Sequence, residues 1–257
     1  MATRVKPPGA ESFRVTKRPG GEGAGEGGWA TPASFRYGAG VKNAALLLLP
    51  LLLATGCGLT TQVRPVPRGA VQVEGALGGP FVRVGPVIPV PLSTVGARYG
   101  VAERFDVAAH AHLTSLSFGV AGLDVGGSWL ALAQDGAVPA LSLGGRLYGF
   151  TSVLASRQAP PRAYLEVSPT VSYLLGGRFL SYASATGLVQ LAGGPPLLSL
   201  AVGEEVRLAS WGVQLELRWY QPDYATRFNA ADWQGPGGMG ALGALLGVRY
   251  RFGGDES

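Results

Sequence analysis

One cysteine, two histidines and two methionines occur among 257 residues, and only 14% of the chain is charged. A lone Cys cannot form a disulfide within its own chain, nor build a cysteine-rich zinc site. No lysine follows Lys42, and no apolar run reaches the 18 or more residues that a membrane-crossing helix requires. Nucleotide loops are missing too: the Gly-rich stretches "LGG", "VGG" and "GGPP" lack the G-x-G-x-x-G and G-x-x-x-x-G-K patterns and read as turns.

The basic balance of the chain is also weaker than it looks. Seven of its 21 Lys+Arg and three of its 16 Asp+Glu precede Cys57, which leaves 14 and 13 in the remainder. All fourteen of those basic residues are Arg. With near-neutral charge and no Lys/Arg cluster, nucleic acid is not an expected partner.

What the sequence does contain begins with "VKNAALLLLPLLLATGC", Val41 to Cys57. Its apolar stretch, Ala44 to Ala54, is eleven residues long with Pro50 inside it, too short to span a bilayer. Lys42 in front, the apolar core and small residues at the end form the three parts of a secretory signal. Ala54, Thr55 and Gly56 before Cys57 resemble the lipobox of bacterial lipoprotein precursors. That resemblance implies acylation of the Cys57 sulfur, removal of residues 41–56, and contact with the lipoprotein-processing machinery. Residues 1–40 are Gly-, Pro- and charge-rich with few periodic apolar positions, and no core is expected there. They read as a disordered extension, or as a stretch ahead of the true translation start at Val41. Residues 57–68 read as a tether.

From Val95 onward apolar and polar residues alternate with period two, within a barrel domain expected over 69–252. "WGVQLELRWY" puts Trp211, Val213, Leu215, Leu217 and Trp219 on one face and Gln214, Glu216 and Arg218 on the other. The expected strands are 69–77, 93–101, 104–116, 118–133, 138–150, 162–174, 178–190, 198–208, 211–221 and 241–252, with 253–257 as a tail. The alternation alone would also suit a soluble β-sandwich. Two features favour a membrane: the strands exceed the usual five or six residues, and short links alternate with longer loops. The expected fold is therefore all-β, an antiparallel up-and-down barrel of about ten strands, transmembrane in type. "GGPFVRVGPVIPVPL" opposes a central strand because of its Pro residues; it reads as a loop or as an extra strand pair making twelve.

The last strand, "GALLGVRYRF", resembles the C-terminal assembly signal of outer-membrane barrels, carried by Tyr250 and Phe252. The resemblance implies the barrel-insertion machinery and outer-membrane lipid as partners. Trp211 and Trp219, eight residues apart on the apolar face, match the spacing of two aromatic girdles. Leu215 between them should sit near the bilayer midplane, and Gln214 on the lumen face should accept Arg cheaply.

The inward face carries Arg98, Asp106, Asp124, Arg146, Glu166, Glu205, Arg207, Glu216, Arg218, Arg249 and Arg251. Mixed charge in a narrow barrel reads as a salt-bridge network that holds its shape, or as the lining of a narrow pore. His110 and His112 share that face and could serve as a base or as metal ligands. No nucleophile motif or third ligand accompanies them, so no catalytic residue, metal or cofactor is expected. The expectation is a lipid-anchored outer-membrane barrel of a Gram-negative bacterium, structural or narrow-pored, anchored from the periplasmic side. A periplasmic lipoprotein with a soluble ligand-binding β-domain is the alternative, and a barrel enzyme using His110 and His112 a more distant one.

Overall fold

The computed structural model describes residues 58–154, 160–226 and 231–253. Cys57 and the signal-like segment before it lie outside the described residues. Among the described residues there are twelve strands: β1 (Val71–Arg83), β2 (Val87–Pro89), β3 (Leu92–Ala102), β4 (Phe105–His112), β5 (Val120–Leu132), β6 (Ala140–Ser152), β7 (Arg162–Leu175), β8 (Phe179–Gln190), β9 (Leu197–Leu208), β10 (Trp211–Ala225), β11 (Asp232–Trp233) and β12 (Met239–Phe252). A five-residue helix, α1 (Leu113–Ser117), joins β4 to β5.

Ten of these strands pair antiparallel with their neighbours, and β1 closes the ring by pairing with both β12 and β3. Val71 faces Phe252 on one side and Tyr99 on the other, so the sheet has no free edge where the chain ends meet. Closure matters because an open edge in lipid would leave backbone N–H and C=O groups without partners. The fold is an antiparallel transmembrane-type β-barrel.

Burial follows the alternation strand by strand. In β10, positions 211, 213, 215 and 217 are exposed while 212, 214, 216 and 218 are buried. The exposed side chains are Leu, Val and aromatics around the whole barrel: Leu123 is 62% exposed, Leu215 59% and Val202 56%. The buried ones include Asp106, Gln214 and Glu216 at 0%. This is the inverse of a soluble protein, and an aqueous exterior would pay for every one of those apolar residues. It speaks against the soluble β-domain.

The two ends of the barrel differ. Links 103–104, 176–178 and 209–210 lie at one end with the longer 133–139; at the other end lie 84–91, α1, 191–196, and the strand ends between which β6 connects to β7 and β10 to β12. Exposed Tyr99, Phe105, Trp129, Phe179, Trp211 and Phe252 ring the short-turn end. Trp211 meets Tyr250 edge-on at 4.9 Å, and Tyr250 meets Phe252 at 4.6 Å.

Two expectations need correction. The Pro-rich stretch after β1 adds no staves to the barrel: beyond Gly78, β1 loses its ladder with β3, and residues 81–83 pair instead with β2 and β11. These form a small flap at the long-loop end around Val82, Val90 and Trp233. Pro80 fits at the departure point because its missing N–H is not needed there, and its carbonyl accepts from Val90 N–H at 2.9 Å. The strand expected over 104–116 ends at His112, and α1 replaces its last turn.

Candidate functional site

The interior holds more than inward side chains. Residues 58–67, expected as a tether, run through the lumen from the long-loop end towards the short-turn end. Gly58 lies beside Leu92 and Thr94 at the start of β3, with Thr94 Oγ1 donating to its carbonyl at 3.4 Å. Leu59 packs with Tyr148, Tyr164 and Leu188, and Val63 with Leu180 and Tyr182. Pro67 and Arg68 then lie against Gly100, and the chain turns into β1. Cys57, the anchor expected at the short-turn, periplasmic end, is therefore followed by a segment that starts at the opposite end.

Such a segment has no sheet partner for its own backbone, and buried N–H groups need acceptors. Two luminal carboxylates supply them. Thr61 N–H donates to Glu216 Oε2 at 2.8 Å, and Val66 N–H donates to Asp106 Oδ2 at 2.8 Å. The segment's carbonyls are met as well: Gln214 Nε2 donates to Thr61 O at 3.1 Å, and Arg98 donates to Arg64 O at 2.8 Å. Arg64 reaches Ser172 at 3.0 Å and Gln134 at 2.7 Å. Gly100 makes the approach possible, because a Cβ there would stand 1.9 Å from Pro67 O.

The charged lumen residues fall into linked groups. Asp106 pairs with Arg98 at 2.5 Å and also accepts from Ser128 N–H at 2.9 Å and Ser128 Oγ at 2.8 Å. Asp124 joins His110 Nδ1 at 2.8 Å and His112 Nε2 at 3.1 Å. The far side of His110, Nε2, meets Glu74 at 2.7 Å. Tyr148 hydroxyl donates to Glu166 at 2.5 Å and accepts from Arg146 at 3.4 Å. Glu216 pairs with Arg218 at 2.6 Å and accepts from Tyr182 hydroxyl at 2.8 Å. Glu205 pairs with Arg249 at 3.1 Å and Arg207 at 3.2 Å, and Arg249 also donates to Gln214.

Arg207 and Arg251 sit at the short-turn rim rather than in the buried centre: Arg207 is partly exposed, and Arg251 N–H donates to Ser210 O at 2.8 Å. Trp211 and Trp219 share the outward parity of β10, Trp211 at its start and Trp219 past its middle, half-buried with its indole N–H donating to Met239 O at 3.0 Å. Among the described residues no group of three or more His, Cys, Asp and Glu has metal-site geometry.

Sequence reading missed Glu74, Gln214, Tyr148 and Tyr182 as members of this network. For Glu74 the signal is there: in "VQVE", Val71 and Val73 alternate with Gln72 and Glu74. For segment 58–67 there is none, because its acceptors lie 40 and 155 residues away in sequence.

No protein-family model matches the chain, and no curated relative is found at significant similarity. Among solved structures the chain is similar to the NanC porin, at 13% identity and a TM-score of 0.41, over 70% of this chain and 98% of that one. It is similar to the translocator domain of the autotransporter NalP from Neisseria meningitidis, at 12% identity and a TM-score of 0.39, over 82% and 98% of the two chains. The outer-membrane protease OmpT from Escherichia coli gives 10% identity and a TM-score of 0.34, over 77% and 100%.

Proposed function

We propose that this chain is a barrel of a Gram-negative outer membrane, further anchored by acylation at Cys57, with a structural role and a lumen closed by its own N-terminal segment. The luminal path of residues 58–67 carries the reading. A ten-strand interior is narrow enough for side chains to fill much of it, and here a second stretch of backbone runs through it, hydrogen-bonded to Glu216 and Asp106. The charges expected as a shape-holding network or a pore lining are committed to one another and to this segment.

A catalytic role has no support in His110. Both ring nitrogens of His110 face carboxylates, at 2.8 and 2.7 Å, so neither is available to a substrate. The partners of this reading are outer-membrane lipid, the lipoprotein-processing enzymes and the barrel-insertion machinery.

Fractionation with a fatty-acid probe tests it. The wild type takes up the probe and Cys57→Ser does not, while both stay in the outer membrane because the barrel itself is embedded. In vesicles with brominated acyl chains, Trp211 fluorescence is quenched. A Cys57→Ser protein that becomes soluble, with Trp211 unquenched, contradicts the membrane barrel.

A further inference from the structure

Beside Gly58, the first described residue, lies a cavity of about 410 Å³ at the long-loop end. Its walls include Val90, Leu92, Leu113, Phe118 and Phe150, and His112 and several Ser and Thr hydroxyls also line it while most of its surface is apolar. The space exists because β4 stops early: its ladder with β5 ends at Ala111 and Leu123, and α1 folds over the gap while β5 and β6 pair on to Val120 and Ser152. A cavity of this size and character suits an apolar ligand.

Chain connectivity names one. Gly58 is held against the cavity wall, where a Cβ would come within 2.6 Å of Leu92 Cβ, and the residue bonded to its nitrogen is Cys57. An acyl group on that residue reaches the cavity with no intervening linker. Methylenes accommodated there leave water, which favours the occupied cavity. We infer that the cavity receives one acyl chain of lipidated Cys57, which puts the lipid anchor at the long-loop end of the barrel. This rests on the proposed acylation of Cys57.

Metabolic labelling with a diazirine-bearing fatty acid, followed by irradiation and peptide mass spectrometry of the full-length protein, tests the inference. The expected product joins the Cys57 lipid to the peptide carrying Leu113 and Phe118, and it is lost in Cys57→Ser. Probe on Cys57 that crosslinks only to phospholipid or to outward-facing residues overturns the cavity assignment and leaves acylation standing. No probe on Cys57 overturns both. A cavity crosslink that persists in Cys57→Ser identifies unattached membrane lipid as the occupant and overturns the assignment to the protein's own anchor.

Discussion

The carboxylate of Asp106 accepts the backbone N–H of Val66 at 2.8 Å while pairing with Arg98 at 2.5 Å, so a single buried side chain ties the luminal segment to the barrel wall. Both residues of the ion pair are almost wholly buried, at 0% and 2%. Removing one partner strands the other without water to replace it.

Asp106→Ala therefore costs about 3–5 kcal/mol, the range for breaking a buried pair from one side. Val66 N–H and Ser128 lose their acceptor in the same step. Urea unfolding of the protein in lipid vesicles reads this, and a loss below about 1 kcal/mol, the scale of an exposed pair, contradicts the assignment.

Gly100→Ala tests the exit of the segment without touching a charge. Its new Cβ collides with Pro67 O, while Gly100 remains in the ladder opposite Asp106. The barrel closes and the segment shifts. Hydrogen exchange at Val66 N–H speeds up by about tenfold or more, corresponding to about 1.4 kcal/mol of lost protection. Unchanged exchange means that the segment does not pass there.

His110→Ala leaves Glu74 and Asp124 facing the vacated space without the ring that joins them. Each carboxylate loses one partner, while Asp124 keeps His112 and Glu74 keeps Gln72 and Arg98, so the loss is about 1.5–3 kcal/mol, the range for hydrogen bonds to charged groups. The variant has a lower unfolding midpoint in vesicles than the wild type. An unchanged midpoint would show that the ring does not bridge them.

The outward and inward faces of β10 give a paired test. Leu215→Arg sets a charge on the lipid-facing side and costs about 2–4 kcal/mol at the midplane. Gln214, expected from alternation alone to accept Arg cheaply, donates to Thr61 O and Tyr182 and accepts from Arg249. An Arg there loses the acceptor and meets Arg249, so Gln214→Arg is at least as costly as Leu215→Arg. Vesicle unfolding of both variants decides it, and a near-neutral Gln214→Arg returns the lumen to an open, solvated state.

The barrel itself was legible because a β-strand between lipid and a polar interior writes its two environments into alternate residues. The expected 162–174 and 198–208 differ from β7 and β9 by one residue each, and an even strand count lets an antiparallel ring close as β1 does on β12 and β3. What stayed hidden is non-local. "GLTTQVRPVPRG" mixes apolar and polar residues without a period, and nothing in it distinguishes a tether in water from a segment that docks on Asp106 and Glu216. The end of β4 was partly legible: the alternation runs to Thr114 and breaks at Ser115 and Leu116, inside α1, where the ladder with β5 has run out.

Conductance across a planar bilayer tests most directly whether the N-terminal segment closes the barrel. The wild-type protein, inserted and shown to be folded, gives no steady current steps. Asp106→Asn combined with Glu216→Gln weakens both docking points and gives intermittent ones. Steady ohmic conductance from the wild type, unchanged in the double variant, would show that residues 58–67 do not close the lumen.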